Sequence, residues 1–325
     1  MKSASIAFLL AAGCVVAAAQ APAQVAATGR SPQGPEAGEF QISVDVALVV
    51  LGATIRDRDG HAVPQLKRED FEVFEDGRPQ PIRLFRHDDT PVTVGLVIDH
   101  SGSMKQKLNE VTAGARAFVR SSNPNDQMFV VNFNEKVSQG LPQGVRFSDS
   151  AEQLAAAVSG RPAVGTTALY DAIIDGLIRL RDGASEKKVL IVISDGGDNA
   201  SKAPLDRVLK MAEQSNAMIY TIGIFDQDDP DGKPGVLRRL ARETGGQAFF
   251  PGQITEAVEI CERIAKDIRD QYTIGYSSSS EKRDGTYHKI RLTAHSTKGG
   301  KLSVRTRAGY SAAEASPAVL RPVGK

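Results

Sequence analysis

Two cysteines in 325 residues are too few for a disulfide scaffold, and the amino terminus reduces them further. Lys2 gives a positive start, Ile6 to Ala19 a short apolar run, and Ala21-Pro22-Ala23 the small residues that a signal peptidase accepts. Residues 1–23 therefore read as a removable export signal. Its removal takes Cys14 away and leaves Cys261 alone, so no intramolecular disulfide can form even in an oxidising compartment. The alternative, a lipid anchor on Cys14 within Ala11-Ala12-Gly13-Cys14, has against it the missing leucine and an apolar run that continues through Val15 to Ala19. Either route leads out of the cytoplasm, to a periplasmic or secreted protein. No later stretch is apolar for long enough to span a bilayer. A charge excess is lacking as well. Without Lys2, the only charged residue among the first 23, 39 basic residues stand against 39 acidic ones. That balance gives no electrostatic case for nucleic acid or an anionic membrane surface.

What remains is the composition of a globular protein, 41% hydrophobic and 24% charged, with length enough for two domains. Residues 24–39, rich in Ala, Gly, Pro and Gln, read as a flexible linker. Over 40–90 the pattern is that of antiparallel strands: Ile42, Val44, Val46 and Leu48 alternate with polar or small residues, and Phe71–Phe74 and Ile82–Phe85 are bounded by Asp57-Arg58-Asp59-Gly60 and Asp76-Gly77 turns. The pattern changes at Val92. Val92 to Ile98, Met128 to Phe133, Val189 to Ser194 and Met218 to Ile224 have too few polar residues for a sheet wetted on one face, which predicts parallel strands covered on both sides. Helical periodicities lie between them, at Leu108–Phe118, Leu169–Leu180 and Leu205–Ala212, and a last helix runs from Ile254 to about Arg269. On one face of that helix Cys261 reads as a core thiol. Residues 91–270 are thus expected to form an α/β domain with a doubly wound, mostly parallel sheet. Strand patterning returns over 271–311, at Tyr272–Tyr276, Tyr287–Thr293 and Lys301–Arg307. Neither flank has enough strands to be stable alone, so the two are expected to pair into one small β-sandwich with the α/β domain inserted in it. The tail, 312–325, reads as disordered.

Asp99-His100-Ser101-Gly102-Ser103 follows directly on the strand ending at Ile98, at the carboxyl end where open α/β sheets bind ligands. Its carboxylate and two hydroxyls are hard oxygen donors suited to Mg²⁺, Mn²⁺ or Ca²⁺. Thr167, opening a helix after Gly165-Thr166, and Asp195, ending the strand Val189–Ser194, fall at equivalent places. An Asp-x-Ser-x-Ser loop, a later Thr and a later Asp in this order resemble the von Willebrand factor A family and its metal-ion-dependent adhesion site, over roughly residues 91–270. The resemblance implies that Ser101, Ser103 and Thr167 bind a divalent metal through hydroxyls while Asp99 and Asp195 hold it directly or through water. Thr166 competes with Thr167, which fits the family spacing to Ile173 better. Asp70-Phe71-Glu72-Val73-Phe74-Glu75-Asp76-Gly77, with Asp88-Asp89-Thr90-Pro91-Val92, adds a narrower resemblance to bacterial VWFA-related proteins of unassigned function.

The expected function is that of an exported binding module, not an enzyme: a metal with an open position takes the exposed Asp or Glu of a protein partner, in adhesion or assembly. An envelope scaffold with an unused metal site is the alternative, and a hydrolase the third reading. Against hydrolysis, the chain has no Gly-x-Ser-x-Gly, no His-Glu-x-x-His and no phosphate-binding glycine loop with lysine, and its histidines are scattered at 61, 87, 100, 288 and 295. His100, in the variable position of the metal loop, is expected to face solvent or a partner. Asp226, Asp228, Asp229 and Asp231 depart from a calcium loop and are interrupted by Pro230, so they read as a solvated loop. Lys187-Lys188 and Arg238-Arg239 read as solvated basic pairs.

Overall fold

The computed structural model describes residues 48–225, 232–279, 285–296 and 300–312. The proposed leader, the linker, the strand start at Ile42 to Val46 and the Asp226–Asp231 run lie outside the described residues. So does the tail beyond Ala312, which is itself buried and bonded to Thr286.

The chain opens with four strands, β1 (Leu48–Arg56), β2 (Phe71–Glu75), β3 (Arg78–Gln80) and β4 (Ile82–Arg86). The α/β unit follows, with strands β5 (Val92–Asp99), β6 (Gln127–Phe133), β7 (Val137–Gln139), β8 (Lys187–Ser194), β9 (Met218–Gly223) and β10 (Ala248–Phe249). Its helices are α1 (Leu108–Ser121), α2 (Ala151–Ser159), α3 (Leu169–Leu180), α4 (Leu205–Ser215), α5 (Pro234–Thr244) and α6 (Ala257–Arg269). Four strands close the described chain: β11 (Tyr272–Ser277), β12 (Tyr287–Ala294), β13 (Ser303–Arg305) and β14 (Gly309–Ser311).

The six central strands form one sheet in the order β10-β9-β8-β5-β6-β7, parallel except for β7, which returns antiparallel along β6. Every residue of β5 is buried, as an apolar run flanked by parallel neighbours and covered on both faces requires. The helices make two groups, α1 packing on α2 and α6 while α4 packs on α3 and α5. Close packing in the middle depends on Gly95 of β5, where a Cβ would lie 2.5 Å from the Phe129 ring and 2.7 Å from Leu190.

The flanking strands interleave. One sheet runs β13-β1-β11-β4 and the other β14-β12-β2-β3, so each mixes strands from before and after the α/β unit. Leu51, Phe71, Val73, Ile274 and Tyr276 fill the core between them. Buried Glu75 accepts from the hydroxyls of Tyr276 at 2.6 Å and Tyr310 at 3.1 Å and from Ser278, which satisfies a carboxylate that burial would otherwise penalise. The α/β unit is tied to these sheets through α6. Its Asp267, 2% exposed, is gripped by Arg56 of β1 and by Arg305 of β13 at 3.1 Å, while Arg269 meets Asp89 at 2.8 Å.

Several short elements, β3 and β14 among them, were not read from the sequence, and α2 and β7 show why. The nine residues of α2 are held by alanines with only Leu154 and Val158 as large apolar anchors, and β7 is a three-residue edge strand with one apolar side chain. The structure also corrects the reading of Lys187-Lys188 as solvated. Both are half-buried at the start of β8, where burial lowers the pKa of each ammonium. Cys261 is a buried free thiol, its pKa pushed up to about 12 by burial.

Candidate metal centre

At the carboxyl ends of β5 and β8 the chain is polar but shut off from solvent. Asp99 is 0% exposed, Ser101 2%, Asp195 3% and Thr167 7%, whereas Ser103 stands exposed beside them. A chain of hydrogen bonds, one of them from the Ser101 backbone N–H, joins four of these. The Ser101 and Ser103 hydroxyls lie 3.1 Å apart, and Ser103 donates to Asp195 Oδ2 at 2.6 Å. Asp99 accepts the Ser101 N–H at 2.7 Å on Oδ1 and the Ser194 hydroxyl at 2.6 Å on Oδ2.

Thr167 reaches the same edge from the loop ahead of α3. Its N–H donates to Asn199 Oδ1 at 2.8 Å, and its carbonyl accepts from the N–H groups of Asn199 and Ala200, each at 3.0 Å. Both backbone groups are thereby engaged, and among the described residues the hydroxyl has no hydrogen-bond partner. The loop is fastened to the Asp99 loop by the Gly102 N–H, which donates to the Gly165 carbonyl at 3.1 Å. Gly165 has a φ of +84°, a left-handed conformation that favours glycine. Neighbouring Thr166 is exposed, and of the two threonines it is Thr167 that is fixed against the Asp195 loop.

Three supporting residues escaped the sequence reading. Ser194 both donates to Asp99 and accepts the Gly196 N–H at 3.0 Å, which orients the carboxylate. Asn199 pins Thr167, and Asp198 accepts the Tyr170 N–H at 3.3 Å at the start of α3. The run Asp195-Gly196-Gly197-Asp198-Asn199 contained the last two and Ser194 closes the strand before it, but a short polar run does not say which of its members turn inward. The expectation for His100 is corrected. Its ring is 1% exposed, Nδ1 lies 3.2 Å from the Arg161 carbonyl, and Nε2 is buried without a hydrogen-bond partner. Its neighbours explain this: the His100 N–H bonds the Phe133 carbonyl at 2.7 Å and its carbonyl takes the Val164 N–H at 2.8 Å, which turns the side chain beneath the loop.

The electrostatics are those of an anionic hollow. Burial pushes the Asp99 carboxyl up to about 6, the charge of Asp195 adding to the rise while bonds from Ser101 and Ser194 oppose it. Among the described residues no basic side chain lies within ion-pair distance of Asp99 or Asp195. Two buried carboxylates and three hydroxyls, without imidazole or thiolate among them, make a donor set that fits a hard divalent cation. A bound cation would offset the burial penalty, and the smaller effect of the Asp195 charge, that raise Asp99.

An open α/β sheet whose polar loops gather at the carboxyl edge of its parallel strands has the architecture in which α/β domains generally bind ligands. The family model for the von Willebrand factor type A domain matches residues 93–263. The chain belongs to that family. A solved structure of a von Willebrand factor type A protein from Catenulispora acidiphila is similar at 16% identity over 81% of this chain and 73% of that one, with a TM-score of 0.50, which shows a shared fold. Also similar are the vWF domain of the type V pili tip protein Mfa5 from Porphyromonas gingivalis, at 13% identity over 55% of this chain and 95% of that one with a TM-score of 0.47. Proximal thread matrix protein 1 from the mussel byssus, with a zinc occupied MIDAS motif, aligns at 15% identity over 60% of this chain and 49% of that one with a TM-score of 0.49. Comparison with curated proteins found no match.

Proposed function

We propose that this chain is an exported, metal-dependent protein-binding module, acting in adhesion or assembly. In this reading Ser101, Ser103, Thr167, Asp99 and Asp195 hold Mg²⁺, Mn²⁺ or Ca²⁺ for an acidic side chain of a partner. The observation that carries it is the pairing of a buried, raised Asp99 with hydroxyls linked through Ser103 to Asp195, at a sheet edge open on the Ser103 side. Neutral hydroxyls leave most of the ion's charge uncancelled, and that charge is the chemistry the ion supplies: an electrostatic seat for a carboxylate.

The protein's own groups do the rest. Ser194 and the Ser101 N–H orient Asp99, the Gly197 N–H holds Asp195 Oδ1 at 3.0 Å, and Asn199 fixes Thr167. Binding rather than hydrolysis is supported by the surroundings of Ser101. Its hydroxyl meets Ser103, while the adjacent His100 ring is directed to the Arg161 carbonyl, so no base is aligned with the serine. The test is capture of partners from the native envelope by immobilised protein in Mg²⁺. Capture that is lost in chelator and lost in Asp99→Asn is the expected result, and capture indifferent to both would overturn the proposal.

A further inference from the structure

We infer that a cleft at the opposite end of the central sheet binds a small amphipathic anion, one acidic head group on an aliphatic body. The cleft has a volume of about 740 Å³, within the range of roughly 300–1,000 Å³ typical of small-molecule sites. It lies where the parallel strands begin, far along them from the Asp99 loop, and faces the sheet that contains β1, β4 and β11. Its apolar lining comes from both sides: Leu48 and Val50 of β1 and Leu84 of β4, against Pro91, Val189 and Met218 at the strand starts. Val49, Leu51 and Ala53 of β1 pack into the sandwich core. The alternating side chains of that strand therefore serve the cleft instead, and Leu48 remains 43% exposed.

The charges on this lining are unbalanced. Arg86, Lys187, Lys188 and Arg307 line it with a single carboxylate, Glu186. Glu186 is bound to Arg86 at 2.8 Å, and Lys188 donates to the carbonyls of Leu180 and Gly183. Among the described residues neither Lys187 nor Arg307 has a carboxylate within ion-pair distance, although Asp88, Asp89 and Asp126 stand near enough to Lys187 to favour its charge. Lys187 reaches only the Asp88 carbonyl, at 3.5 Å. Arg307 bonds Asn216 and lies over the Tyr310 ring at 5.4 Å, while its Nε is shut off from solvent with no hydrogen-bond partner. Nε itself is closed to any ligand, so an acceptor in the cleft would have to meet the outer nitrogens of this half-buried guanidinium. Water could serve the cations but would leave the aliphatic walls wetted. An anion carrying an aliphatic body satisfies both, and its volume suits a hollow closed in by two layers better than a protein segment does.

Titration calorimetry of the full chain with sodium decanoate, decanol and acetate, all in chelator so that the metal site plays no part, tests this. Decanoate is expected to bind, with decanol at least about 10-fold weaker, the factor that loss of one charge-assisted hydrogen bond produces, and acetate at least about 10-fold weaker for want of the aliphatic body, at about 0.8 kcal/mol per buried methylene. Arg307→Gln should weaken decanoate by about 10-fold, and Val50→Trp, which fills the cleft, should abolish binding. A thermal melt checks that each variant is folded, and Arg307→Gln alone decides the matter should Val50→Trp unfold. No heat with decanoate in the wild type would overturn the inference. So would decanol binding as tightly as decanoate, or affinity unchanged in Arg307→Gln.

Discussion

Replacing Asp99 by asparagine should stabilise the metal-free protein at neutral pH while abolishing its response to Mg²⁺. Asp99 is fully buried, and its carboxyl is pushed from 3.8 up to about 6. A rise of about two units corresponds to about 3 kcal/mol at roughly 1.4 kcal/mol per unit. The folded state binds the proton more tightly than the unfolded state, so this cost is absent below about pH 4, grows between about pH 4 and 6, and is fully present at pH 7.5. Asparagine removes the charge but disturbs the bonds to Ser194 and the Ser101 N–H, a loss of about 1 kcal/mol or more. The net gain is about 1–2 kcal/mol. Urea denaturation in chelator at pH 7.5 and pH 4.5 measures it, and the advantage of the variant should vanish at the lower pH. Asp126, which burial also pushes up to about 6, titrates in both proteins and cancels in the difference. Added Mg²⁺ at 100 times its Kd should stabilise the wild type by about 2.7 kcal/mol and leave the variant unchanged. An Asp99→Asn protein less stable than wild type in chelator at pH 7.5, or one equally stabilised by Mg²⁺, would refute the reasoning.

Other consequences are as specific. Ser194→Ala, which frees the Asp99 carboxylate to rotate, should lower Mg²⁺ affinity by about 10–100-fold by calorimetry; an unchanged affinity would mean that Ser194 does not orient Asp99. Asp267→Asn leaves Arg56 and Arg305 facing each other in the interior and should cost about 3–5 kcal/mol in urea denaturation. Gly95→Ala drives a methyl into Phe129 and Leu190, so a loss of at least about 1–3 kcal/mol is expected, and a neutral effect would show that the central strand can shift.

The α/β unit was legible because its signals are strong and mutually consistent. Fully buried runs such as Val92–Ile98 can only be central parallel strands, and the loop after such a strand is where polar residues gather. Asp99, Ser101, Ser103, Thr167 and Asp195 all come to that edge, four of them in one hydrogen-bonded chain. The interleaving of strands in the flanking sheets was also readable, from too few strands on either side. The supporting shell was not. Ser194 belongs to an apolar strand and differs from its neighbours only in a hydroxyl, and nothing in its spacing says that it meets Asp99. His100 misled because a polar residue in a surface loop is usually solvated, whereas backbone bonds on both sides of it turn the ring inward. Lys187 and Lys188 misled for a related reason. A basic pair before a strand is normally exposed, and only the return of β1 and β4 across the strand starts encloses them.

The central claim is that hydroxyl-bearing loops at the carboxyl edge of the sheet grip a divalent cation. A crystal grown with Mn²⁺ and examined at the manganese absorption edge tests it most directly. The account predicts an anomalous peak within about 2.0–2.4 Å of the Ser101 and Ser103 hydroxyl oxygens, with Asp99, Thr167 and Asp195 in direct or water-bridged contact. A protein saturated with Mn²⁺ that shows no peak there, with Ser103 still bonded to Asp195, would contradict it.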